Sequence, residues 1–79
     1  MIVNVRLFAS AREQAAADTV ALSVPPLATL DLLRESLDEA VPALRGQPGR
    51  WAVNREFALA GHVVKAEDDL AWIPPVSGG

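Results

Sequence analysis

The chain has 79 residues, 51% of them apolar and 22% charged, which suits one small globular core and argues against disorder. It carries no cysteine and one histidine, excluding a disulfide framework, a thiolate nucleophile and a cysteine-ligated or multi-histidine metal site. With a net charge of −3, six arginines and one lysine, it has no basic stripe for nucleic acid, and no apolar run nears the roughly 18 residues of a membrane span.

Val3, Val5 and Leu7 alternate with Asn4, Arg6 and Phe8, a period of two that predicts a half-buried strand with the first set inward. That alternation is not the charged-then-apolar pattern of a secretory signal, so a cytoplasmic location is expected. Ser10 and Glu13 have capping-box spacing, and Ala11 with the run Ala15 to Ala17 predicts a short helix ending at Asp18-Thr19. Thr19 to Val24 alternates again through Val20, Leu22 and Val24, until Pro25-Pro26 forbids further laddering.

Thr29 is the predicted cap of a second helix, with Asp31 in the first turn where the dipole favours an anion. Leu30, Leu33, Leu37, Val41 and Leu44 recur at spacings of three and four, giving one core-facing stripe that Pro42 ends or kinks. A loop follows from Arg45 to Arg50. Strands are then expected at Trp51 to Val53, Phe57 to Leu59 and Leu70 to Ile73. Turns are placed at Asn54-Arg55-Glu56, Gly61-His62 and Glu67-Asp68-Asp69.

The order β-β-α-β-β-β, with an extra helical turn after the first strand, predicts an α+β domain: a mixed sheet packed on one main helix. Pairing of the first and last strands would make it a β-grasp, or ubiquitin-like, fold. Residues 1–73 then form the domain and residues 74–79 a flexible C-terminal tail. Pro74 and Pro75 lack amide donors and fix φ, so the chain must leave the sheet there as a stiff segment. Gly78 and Gly79 have no Cβ, so the end is thin enough to thread a narrow channel. From Pro74 to Gly79 the chain can span up to roughly 20 Å. A bare Gly-Gly reads equally well as a frayed stub, but the full string on this fold favours function.

The chain resembles the small subunit of molybdopterin synthase, the MoaD type of ubiquitin-like sulfur carrier related to ThiS. The matching residues are Leu7-Phe8-Ala9 with Arg12-Glu13, Thr29-Leu30 with Leu33-Arg34, Ala52-Val53-Asn54 and Glu67-Asp68-Asp69. The most specific part is the ending Pro74-Pro75-Val76-Ser77-Gly78-Gly79, and the resemblance covers essentially the whole length. A departure is Trp72-Ile73, where the family often has paired phenylalanines.

The resemblance implies that the Gly79 carboxylate is adenylated by an E1-like, MoeB-type enzyme that uses ATP, then converted to a thiocarboxylate. The small subunit itself holds no stable cofactor. Its tail, with Gly78 passing the channel, enters a MoaE-type large subunit that carries the catalytic residues. There sulfur passes to a cyclic pterin precursor in molybdenum cofactor biosynthesis. The implied assembly is a heterotetramer, with two small subunits at opposite ends of a large-subunit dimer. The chain has neither a phosphate-binding Gly-rich loop nor a dinucleotide fingerprint, so activation falls to a partner.

Glu67, Asp68 and Asp69 read as a solvated turn rather than a magnesium site, and His62 as an exposed turn residue. Lys65, the single lysine, reads as a surface charge. Alternation puts Phe8 and Ile73 on the face away from the core, where Phe57 joins them as a contact patch beside the tail. Pro74, Pro75, Val76 and Ser77 complete the expected partner-binding set. The alternatives are a related carrier serving thiamine or cysteine pathways, or a ubiquitin-like modifier or interaction domain.

Overall fold

In the structure, a computed structural model that describes residues 1–75, the opening alternation becomes β1 (Ile2–Leu7). Val3, Val5 and Leu7 are buried, while Asn4 and Arg6 face outward. β2 (Thr19–Ser23) returns antiparallel, with Val3 opposite Leu22 and Val5 opposite Val20.

Between them lies α1 (Ala9–Ala15), which starts earlier than the Ser10–Glu13 spacing predicts. The Phe8 carbonyl accepts from Ala11 N–H at 3.1 Å and Arg12 N–H at 3.4 Å, so Phe8 is the cap and Ser10 falls inside the first turn. No side chain caps this helix. It closes at Ala16 in the left-handed region, φ 55°.

α2 (Leu30–Ala40) forms as its leucine spacing predicts, burying Leu30, Leu33 and Leu37 against the sheet. The N–H groups of its first three residues, which no helix can satisfy internally, each find a partner. Leu30 N–H donates to the His62 carbonyl at 3.0 Å, Asp31 N–H to the Ala60 carbonyl at 3.1 Å, and Leu32 N–H to Thr29 Oγ1 at 3.4 Å. The helix ends before Pro42, which opens a 3-10 turn (Pro42–Leu44) that returns Leu44 to the core. The stripe therefore spans two elements.

β3 (Arg50–Val53) and β4 (Glu56–Ala58) form a hairpin with a two-residue loop, Asn54 and Arg55, at φ 53° and 70°. Both left-handed residues match the sheet's twist. The turn is thus one residue shorter than expected: Glu56 is already in the strand, and Leu59 lies beyond it, 87% exposed.

β5 (Leu70–Ile73) runs parallel to β1, with Val5 beside Leu70 and Leu7 beside Trp72, and antiparallel to β3. The sheet order is β2-β1-β5-β3-β4, the β-grasp arrangement. Trp51 and Trp72 face each other across β3 and β5, ring centroids 5.0 Å apart and edge-on, and close the core under α2. Among the described residues no polar side chain is buried. No helix among them is long and apolar enough to cross a membrane.

Candidate functional site

The sheet covers α2 with one face and leaves the other open. Strand register sets one row of that open face: Arg6 on β1, Ala71 on β5, Ala52 on β3 and Phe57 on β4. Two alanines in the middle of the row leave a depression of about 210 Å³, walled by Phe8, Phe57, Ile73, Arg6, Arg55 and Asp69. The three large apolar residues expected on this face therefore do line one hollow. Phe8 is 40% exposed, Phe57 57%, and Ile73 half-buried.

Guanidinium groups frame it. The Arg50 group lies 3.7 Å from the Phe57 ring centroid and the Arg6 group 5.8 Å from that of Phe8, both in cation–π range. Arg6 also donates to Asp69 Oδ2 at 2.9 Å, and Asp69 is the sole acid in the lining. The hollow is apolar with a basic rim, although the chain as a whole is acidic.

Ile73 pairs with Arg50 at the end of β5, and from there the chain leaves along a second depression of about 360 Å³. Pro48, Gly49, Phe57, Ile73, Pro74 and Pro75 contribute to it, with Pro74 buried and Pro75 exposed. Packing thus continues one residue past the last strand. Val76, Ser77, Gly78 and Gly79 lie outside the described residues.

The turn acids behave less uniformly than expected. Glu67 is exposed, but Asp68 and Asp69 are half-buried and bonded. Asp68 accepts from Asn54 Nδ2 at 3.1 Å and from Lys65 N–H at 2.8 Å, while Asp69 N–H donates to Asn54 Oδ1 at 2.9 Å. They brace the turn onto the β3–β4 hairpin. Among the described residues no cluster of three or more His, Asp or Glu is arranged to hold a metal ion. His62 is exposed and serves through its backbone, as the carbonyl that holds the start of α2.

Sequence reasoning missed the floor and the frame of the hollow: Ala52, Ala71, Arg6, Arg50 and Arg55. The signal was present in strand alternation, which turns Ala52 and Ala71 outward, but small residues carry no apolar signal of their own.

The sequence pattern of the ThiS family matches residues 5–79. The molybdopterin synthase sulfur carrier subunit of Arabidopsis thaliana is 33% identical over 79 residues, covering 98% of this chain and 82% of that protein. Among solved structures, SAMP1 of Haloferax volcanii, a small archaeal modifier protein, superposes with a TM-score of 0.89 at 32% identity, covering 100% of both chains. A chain of the Helicobacter pylori complex of subunits 1 and 2 of molybdopterin-converting factor gives a TM-score of 0.67 at 24% identity, again covering 100% of both. At that identity the likeness shows the shared fold.

Proposed function

Starting from the chain's membership of the ThiS family, we propose that it is the sulfur-carrier subunit of a molybdopterin synthase. The observation that carries this reading is where the end of β5 lies. Ile73 walls the apolar hollow, and Pro74 and Pro75 lead the chain away directly beside it. A partner seated on Phe8, Phe57 and Ile73 therefore meets the chain at Pro74 and Pro75, where it leaves the sheet beside that surface. The Helicobacter pylori complex of subunits 1 and 2 supports a large subunit as that partner.

In this reading Gly79 is the working residue. Its carboxylate attacks the α-phosphate of ATP on an E1-like adenylating partner, pyrophosphate leaves, and sulfide-level sulfur from a donor adds at the acyl carbon and displaces AMP to give the thiocarboxylate. The large subunit then receives the tail, and the sulfur passes to a cyclic pterin precursor. The carrier needs no side-chain nucleophile and no resident cofactor for this, since activation and transfer take place on its partners. A cytoplasmic location would supply the ATP this reading requires.

A second reading, a modifier joined through Gly79 to amines, is favoured by the likeness to SAMP1. Intact-mass measurement after incubation with an adenylating enzyme, ATP and a sulfur donor separates the two. Replacement of one oxygen by sulfur, lost when Gly79 is deleted, supports the carrier. Absence of that gain, or attachment to lysines of other proteins, overturns it.

A further inference from the structure

Arg34 lies on α2, far along the chain from the tail, yet its bonds converge beneath the tail's exit. Its side chain is only 19% exposed. Nε donates to Asp38 Oδ1 at 2.8 Å, one helical turn on. Nη2 donates to two backbone carbonyls of the segment after the helix, Leu44 at 2.6 Å and Gln47 at 2.9 Å. The guanidinium plane also lies 4.2 Å from the Trp72 ring centroid. One side chain therefore ties α2 both to the segment 44–47 and to the last strand.

That segment delivers Gly49 onto Trp72. A Cβ built at Gly49 would overlap Trp72 Cζ2, fall 2.6 Å from Cε2 and lie 3.0 Å from the Ile73 carbonyl oxygen. Only a residue without a side chain permits this approach. Pro48 and Gly49 then form one wall of the depression whose other wall is Ile73, Pro74 and Pro75. The backbone of the 44–49 loop is in effect the surface against which the chain turns out of the sheet.

We propose that Arg34 and Gly49 are positioning residues that set the direction in which the chain leaves Pro75. Arg34 fixes the loop by its carbonyls and Trp72 by its plane; Gly49 lets the two meet. The proposal rests on the carrier reading for its consequence. A terminal carboxylate must be presented at a partner's reacting atoms, and a misplacement of about 1 Å can cost on the order of 100-fold in rate. Arg34, on α2, is not among the residues lining the apolar hollow, whereas Gly49 borders Phe57 and Ile73 in the neighbouring depression, so the kinetic test rests on Arg34.

Two variants test it. Gly49→Ala pushes the loop off Trp72 and Ile73. Arg34→Lys keeps the charge near Asp38 but replaces a planar fork with a single point donor, losing the paired carbonyl bonds and the stacking. For Arg34→Lys, titrated as substrate of the adenylating partner, turnover to the thiocarboxylate should fall about tenfold or more while KM stays within about twofold, since binding is intact and presentation is not. A second measurement needs no enzyme. The chain has no cysteine, so Ser77→Cys provides a unique nitroxide site whose paramagnetic broadening of backbone amides maps where the end points. The set of broadened amides should change in both variants.

An unchanged broadening map in a folded Arg34→Lys variant overturns the proposal, whatever Gly49→Ala does to folding. So does a loss of turnover matched by an equal rise in KM, or one that only follows a lowered melting temperature. If the parent chain accepts no sulfur yet the map still shifts in the variants, the positioning role stands and the carrier reading falls.

Discussion

Asn54 occupies the first left-handed position of the β3–β4 turn, φ 53°, and reaches across to the turn before β5. Its side chain donates to Asp68 and accepts from Asp69 N–H, and its own N–H donates to the Asp69 carbonyl at 2.8 Å. Asp69 continues the chain of bonds to Arg6 on β1. Asn54→Ala removes two side-chain bonds worth about 1 kcal/mol each, and alanine tolerates the left-handed region less well. A loss of about 2 kcal/mol in denaturant unfolding is expected; a loss under about 0.5 kcal/mol would show that water replaces the network at no cost. Arg55, at φ 70°, makes the opposite case. Arg55→Gly removes the steric penalty of a left-handed arginine and should stabilise the hairpin by about 0.5 kcal/mol, read from the same transition. Local pattern marked both turns, but not their connection. Asn54 and Asp68 are 14 positions apart, and only the adjacency of β3 and β5 brings them together.

The two helices show how far an element's own sequence specifies its ends. α2 was legible almost entirely: its stripe, its cap at Thr29 and its stop at Pro42 are all local signals that packing confirms. α1 was legible as a helix but not in its start. The Ser10–Glu13 spacing is a valid cap signal, yet β1 ends at Leu7, and the Phe8 carbonyl begins the helical bonding before Ser10 is reached. The two candidate caps therefore separate by experiment. Ser10→Ala should leave the melting transition within about 0.5 kcal/mol of the parent, because no cap bond is lost. Thr29→Ala should cost about 0.5–1 kcal/mol, the low end for a cap, because His62 and Ala60 still hold the first two N–H groups of α2. Equal effects at the two positions would refute this assignment of the caps.

At the scale of the molecule, a chain of net charge −3 sets Arg6 and Arg55 in the lining of one apolar hollow and stacks Arg50 on Phe57 at its edge. The fold class and the apolar residues that share this sheet face could be read in advance, because alternation and adjacency of the first and last strands suffice for them. The basic frame could not, since it exists only once five strands are set in register. This distribution fits a partner that brings an apolar anchor flanked by carboxylates. Phe8→Glu puts a carboxylate among those expected carboxylates and removes the anchor's contact, so affinity for the proposed large-subunit partner should fall tenfold or more, about 1.4 kcal/mol. Its effect on stability should be small, because Phe8 is 40% exposed. Ile73→Glu should weaken binding as much and also lower the melting temperature, because Ile73 is half-buried. Arg50→Glu tests the frame alone. It should slow association and flatten its dependence on salt while leaving dissociation nearly unchanged, as expected of a rim charge that steers encounter. If Arg50→Glu instead accelerates dissociation with no effect on association, Arg50 acts through its stacking on Phe57, as part of the buried contact.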